Sequence, residues 1–206
     1  MNTDITFLSW NSRGFSDSKI QFLSEITNCF NTIICIQEHC ILHQNSYRIL
    51  NGFPDMHVFI KPALKDNLDR GRPKGGLCTA IPNQFKNYVK DISPNSWRLQ
   101  ALKFSFKEEF ILINSYLPVD NRQNYQETLE TLAMITYIAK EHSPCPIVWT
   151  GDLNSDFKRQ SAHVDYVQSC IRELHLNKFW CLVWVRSGRT CPEFLWCPAR
   201  PVRVLR

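Results

Sequence analysis

Apolar residues in this chain fall into short runs, and most of the runs end on a polar side chain. Ile5 to Trp10 is the first and stops at Asn11. Ile33 to Ile36 is the second and runs into Gln37 and Glu38. Runs of this length, rich in β-branched and aromatic residues, predict buried strands. Between the two, Ile20, Leu23, Ile26 and Phe30 recur at close to helical spacing. Ser16 or Asp17 can cap that helix. Strand, helix and strand in this order predict two parallel neighbours joined by a right-handed crossover.

The pattern continues along the chain. His57 to Ile60 and Leu77 to Ile81 are further candidate strands. Trp97 to Phe104 and Phe110 to Ile113, with Lys107-Glu108-Glu109 between them, predict an antiparallel hairpin. Its return strand leads into Asn114-Ser115-Tyr116-Leu117-Pro118. A helix follows over 121–141, with Tyr125, Leu129, Leu132, Ile135 and Ala139 on one face and Pro144 stopping it. Ile147 to Trp149 is another buried strand, ending in Thr150-Gly151-Asp152-Leu153-Asn154. Val164, Val167, Ile171 and Leu174 predict a second amphipathic helix. His163 and Asp165 at its start read as surface or capping residues, and His175 reads as helical. From about Cys181 the periodicity is lost.

The strand ends carry the candidate chemistry. Asn11, Glu38, Tyr116 and the pair Asp152 and Asn154 each follow a predicted strand. Ligands of open α/β sheets sit outside the carboxyl ends of strands. An Asp-x-Asn phrase after a strand is by itself as well explained by a turn. A tyrosine at such an end can donate to a phosphate or be an ordinary half-buried core residue. Recurrence at several strand ends favours a site, because a buried strand has no structural need of an acid at its tip.

Composition adds boundaries. The chain has 206 residues, 44% of them hydrophobic, enough for one domain with a sizeable core. No run approaches the roughly eighteen apolar residues of a membrane span, and the first residues lack the features of a secretory signal. Nine cysteines, with no Cys-x-x-Cys pair, read as reduced thiols of an intracellular protein; Cys29, Cys35, Cys78 and Cys145 lie in or beside apolar segments. The net charge is +5, but residues 181–206 hold five arginines against one acid, Glu193. The body is therefore nearly neutral, and its charge is weak evidence for a nucleic-acid partner. Gly71-Arg72-Pro73-Lys74-Gly75-Gly76 has the glycines of a phosphate loop but is followed by Leu77-Cys78 instead of Lys and Ser or Thr. It reads as a turn before the next strand that can offer its backbone to a phosphate, not as a nucleotide-binding P-loop.

Taken in order, Ser9-Trp10-Asn11, Ile36-Gln37-Glu38, Asn114 to Pro118 and Gly151-Asp152-Leu153-Asn154 resemble the motifs of the endonuclease/exonuclease/phosphatase superfamily. Ser12-Arg13-Gly14 and the loop 71–76 are most similar to the endonuclease domains of non-LTR retrotransposons. The resemblance spans roughly residues 4–180. It implies a four-layer α/β sandwich of two packed mixed sheets flanked by helices, a divalent cation (Mg2+ or Mn2+), and hydrolysis of a phosphodiester in DNA. Carried over, Glu38 is the principal metal ligand with Asn11 beside it. Tyr116 bonds the scissile phosphate, Asp152 orients or deprotonates the attacking water, and Asn154 steadies the developing charge. Arg13, Arg72 and Lys74 are the nucleic-acid contacts. A nuclear protein, within a longer retrotransposon polyprotein, is the corresponding setting.

One departure bears on activity. The family ends in a Ser-Asp-His tip on a late strand, and this chain has none. The expected organisation is thus a domain over 1–180 and an anomalous tail over 181–206, from a truncated copy whose reading frame drifts near residue 180, or from a divergent end. Three function classes follow: a magnesium-dependent DNA endonuclease, an inactive remnant that binds nucleic acid weakly or not at all, and a phosphoesterase acting on lipid or inositol phosphates.

Overall fold

The computed structural model describes residues 5–26, 31–65 and 71–176. The predicted tail, Cys29 and Phe30 lie outside them. Strands β1 (Thr6–Asn11), β2 (Thr32–Gln37), β3 (Met56–Lys61) and β4 (Leu77–Pro82) form one sheet in the order β1-β2-β4-β3. Strands β5 (Val89–Asp91), β6 (Leu99–Ser105), β7 (Glu109–Tyr116) and β8 (Ile147–Asp152) form a second in the order β5-β6-β7-β8. Both sheets are mixed: β1 runs parallel to β2 and β7 parallel to β8, and the other pairings are antiparallel.

The period-two alternation of the strands builds three apolar layers. On β2, Ile34 and Ile36 pack with Leu23, Ile49 and Phe53 from α1 (Asp17–Ile26) and the region of α2 (Tyr47–Gly52). Ile33 and Cys35 of the same strand turn the other way, onto Leu102, Phe104 and Leu112 of the second sheet. On β7, Ile111 and Ile113 meet Leu132 and Ile135 of α3 (Tyr125–Glu141) and Val167 of α4 (Ala162–Glu173). A strand covered on both faces has no solvent side, which is why β2 reads as an unbroken apolar run. Each such side chain contributes roughly 1.5–3 kcal/mol on burial. The result is helices, sheet, sheet and helices: the four-layer α/β sandwich.

Three local expectations are corrected. The buried positions of α3 are Thr128, Thr131, Leu132, Ile135 and Ile138, while Leu129 is 39% exposed. The Thr128 and Thr131 hydroxyls donate to the Asn124 and Glu127 carbonyls one turn back, at 3.0 and 2.8 Å, so neither buried hydroxyl is left unpaired. His163 is not a surface residue: it is fully buried. Its Nε2 lies 3.1 Å from the Leu153 carbonyl and its Nδ1 3.3 Å from the Thr128 hydroxyl, tying α4 to α3 and to the turn after β8. The cap of α4 is Ser161, whose side chain accepts from Val164 N at 3.2 Å. His175 lies beyond α4, in a left-handed conformation with φ of 52°. No helix among the described residues is long and apolar enough to cross a membrane.

Candidate active site

The two parallel pairings decide where the strand tips fall. Asn11 stands opposite Gln37 at the end of β1 and β2, with Glu38 next in the chain. Tyr116 stands opposite Asp152 at the end of β7 and β8. The two sheets bring these ends together. Asn11 Nδ2 donates to Asp152 Oδ2 at 2.5 Å, and the Tyr116 side chain lies beside the Glu38 carboxylate. All four residues are half-buried.

Behind the tips a buried polar ladder fixes the spacing of the sheets. Gln37 Nε2 donates to Asn114 Oδ1 at 2.8 Å and to Ser9 Oγ at 3.1 Å. Asn114 Nδ2 donates to Thr79 Oγ1 at 3.3 Å, and Thr79 in turn to Gln100 Oε1 at 2.6 Å. Polar groups in a dry layer need such partners, and here each partner lies on another strand. Asn114 is thus the inward residue of the Asn114 to Pro118 phrase, and Tyr116 its outer one.

The backbone at the tips is held in a sparsely populated conformation. Arg13, Glu38 and Asn154 have φ of 44°, 53° and 47°. Left-handed conformations are uncommon outside glycine; each costs on the order of 1–3 kcal/mol and persists only where its surroundings hold it. The surroundings do so here. Glu38 O accepts from Gly14 N at 2.6 Å and from Ser12 Oγ at 3.2 Å. Arg13 N donates to Asn11 Oδ1 at 2.9 Å. Asn154 N donates to Asp152 Oδ1 at 3.0 Å, and its Nδ2 to Leu117 O at 2.7 Å. Both Asp152 oxygens therefore accept a hydrogen bond, which fixes the plane of the carboxylate.

Tyr116 is kept protonated. Burial raises its pKa first, the hydrogen bond to Glu38 and that residue's charge raise it further, and Arg98 pulls weakly the other way. Arg98 is a residue that the strand-end pattern does not reveal. Its guanidinium lies 3.8 Å over the Trp97 ring and 5.3 Å from the centre of the Tyr116 ring.

The cationic residues group on one side. Arg13 and Arg72 are exposed, and the Arg72 guanidinium donates to the Arg13 carbonyl. The loop 71–76 is thereby closed onto the turn after β1. Lys19 Nζ donates to Ser12 O and Gly14 O of the same turn, at 2.5 and 2.9 Å. Lys74 is exposed and is fixed through its backbone to Leu64 instead. His39, beside Glu38 in the chain, is buried. Its Nδ1 accepts from Ile41 N at 3.0 Å, its Nε2 lies 3.2 Å from Lys61 O, and burial pushes its pKa down to about 4, so the ring is neutral and serves the fold.

The donor set at the tips suits one kind of metal. Glu38 and Asn11 offer hard oxygens, and none of the ion pairs among the described residues involves Glu38. No group of three or more His, Cys, Asp or Glu converges among the described residues. A single carboxylate with an amide fits a hard cation that keeps several waters and takes the rest of its shell from a phosphate, and does not fit zinc.

No protein-family model matches the chain, and no curated protein sequence does. Solved structures do. The AP endonuclease LMAP from Leishmania major superposes with a TM-score of 0.62 at 14% identity, over 90% of this chain and 73% of that one. A point variant of the 3' phosphatase NExo from Neisseria, bound to a product DNA hairpin, gives 0.58 at 14% identity, over 82% and 71%. The endonuclease domain of TRAS1, a telomere-specific non-LTR retrotransposon, gives 0.54 at 15% identity, over 82% and 70%. A longer matched structure, TDP2 from C. elegans, gives 0.54 at 16% identity, and the chain spans 50% of its length.

Proposed function

We propose, from a chain with the fold of the endonuclease/exonuclease/phosphatase superfamily, that the joined strand tips are a phosphodiesterase centre acting on DNA, of the retrotransposon endonuclease type. The observations that carry this reading are the meeting of the strand tips of both sheets, the Asn11 to Asp152 hydrogen bond and the placing of Tyr116 beside Glu38. They gather residues of four strands into one polar opening with no other evident task. The neighbours named for AP sites, for product DNA and for a retrotransposon support DNA as the substrate.

Glu38, with the Asn11 amide oxygen, would hold Mg2+ or Mn2+, which would supply charge to polarise the phosphate. Asp152, its plane fixed by Asn11 and Asn154, receives a proton from the attacking water on its exposed lone pairs. The protonated Tyr116 donates to a non-bridging phosphate oxygen. Asn154 keeps one amide hydrogen free of Leu117 to meet the charge that develops. Arg13, Arg72 and Lys74 line the approach of the backbone. Positioning and charge stabilisation are what phosphoryl transfer asks of a protein. The natural setting of this centre is the nucleus, within a longer retrotransposon polyprotein.

A second reading, a remnant that binds without cutting, is favoured by the histidines. Among the described residues, His39 and His163 are buried in the fold and neither faces the tips. Loss of one transition-state donor lowers a rate by about 10²–10³-fold. With supercoiled plasmid and Mg2+ the expected result is very slow nicking, abolished by Asp152→Ala, and binding of Mn2+ that Glu38→Gln removes. Binding of DNA and Mn2+ with no nicking selects the remnant. Brisk nicking untouched by Asp152→Ala would overturn both.

A further inference from the structure

We propose that Arg98 is the residue that positions Tyr116, so that its hydroxyl meets Glu38 and, in the centre proposed above, the phosphate. The proposal rests on that reading for its purpose and on the following geometry for its substance. Arg98 is the residue just before β6, and its carbonyl accepts from Tyr116 N at 2.9 Å while its Nη1 donates to Tyr116 O at 3.2 Å. Its Nε and Nη2 donate to the two carboxylate oxygens of Glu127 on α3, at 2.5 and 3.0 Å. All three guanidinium nitrogens thus donate, and the side chain is only 11% exposed. A bidentate pair of this kind fixes the plane of the guanidinium as well as its place.

That plane is a wall of the site. One ring, Trp97, lies 3.8 Å from it and the other, Tyr116, 5.3 Å, with the two ring centres 6.3 Å apart. Trp97 is backed in turn by Gly75, where φ is 70° and a Cβ would sit 2.4 Å from the indole. The tryptophan is half-buried, held between Gly75 and Arg98. Its work is to close the loop 71–76 against Arg98. Tyr116 has two side-chain torsions, and a ring held beside Arg98 keeps its hydroxyl end beside Glu38. A lysine would keep the charge and lose the plane, the fork and the stack.

The test reads Tyr116 directly. Protein with ring-13C tyrosine has six tyrosines, and Tyr116→Phe identifies the signal of interest. In Arg98→Lys that signal moves to the position of an exposed tyrosine while the other tyrosines stay, and Mn2+ affinity at Glu38 is retained. Where plasmid nicking is measurable, Arg98→Lys lowers kcat by about 10²-fold, the penalty of misplacing a reacting group by about 1 Å, and adds nothing to Tyr116→Phe, because the two act as one. Should Arg98→Lys fail to fold, Glu127→Gln loosens the fork at a more exposed residue, and the Tyr116 signal shifts there. A Tyr116 signal unmoved in folded Arg98→Lys, or in Glu127→Gln when that variant is the one that folds, overturns the proposal. The NMR result stands without turnover, so an inactive centre would count against the proposed function and not against Arg98.

Discussion

Gly151 sets how closely β7 and β8 approach at the site. Its φ is 135°, and a Cβ there would lie 2.0 Å from the Ser115 carbonyl of the facing strand. Backbone cannot step aside as a flexible side chain does. Gly151→Ala is therefore expected to destabilise the fold by about 3 kcal/mol or more, and to displace Asp152. Urea denaturation checks this, and a midpoint equal to the parent would show that the strands relax. At this scale the sequence is informative where chemistry sits at a strand end: Asn11, Glu38, Tyr116, Asp152 and Asn154 are all legible there and all meet. Arg98 and His163 are not. Arg98 is explained by Glu127, 29 residues away, and His163 by a hydroxyl 35 residues away. Neither partner leaves a mark on the local pattern.

Among the elements, α4 shows how a helix start can be tied from both sides. The Ser161 hydroxyl accepts from Val164 N and donates to Asp120 Oδ2 at 2.7 Å, so one side chain caps the helix and anchors the loop after β7. Ser161→Ala should lower stability by about 1 kcal/mol, the usual loss of such a cap. Equilibrium denaturation reads this, and an unchanged midpoint would mean the cap is replaced by water. Strands were the legible elements, since runs such as Ile33 to Ile36 are buried on both faces. The three residues of β5 and the six of α2 are too short for a period to show. The buried face of α3 differs from the apolar periodicity because Thr128 and Thr131 count as polar in a sequence and can be buried once their hydroxyls are bonded.

For the whole molecule, the layer between the sheets holds a titratable group with no route to water. Burial pushes the Cys35 thiol up to about 12, against a weaker pull from the Thr79 hydroxyl. An unfolded cysteine ionises near pH 8.5. Between about pH 9 and 12 the unfolded chain gives up a proton that the folded chain retains, so stability falls as pH rises through that window and is unaffected by this group below it. Cys35→Val should flatten the fall between pH 8 and 10.5, measured by denaturation; equal slopes would refute the account. The order of the strand tips and the sandwich itself were legible, as the order of the apolar runs carries them. The Gln37 to Asn114 ladder that spaces the sheets was not, because it joins residues 77 positions apart. The Asn11 to Asp152 bond spans 141. Chain entropy favours short closures first, the β1–α1–β2 unit and the β6–β7 hairpin. During synthesis Glu38 and its basic turn thus exist long before their counterpart is made. The joined tips take residues from both halves, so neither half holds them alone.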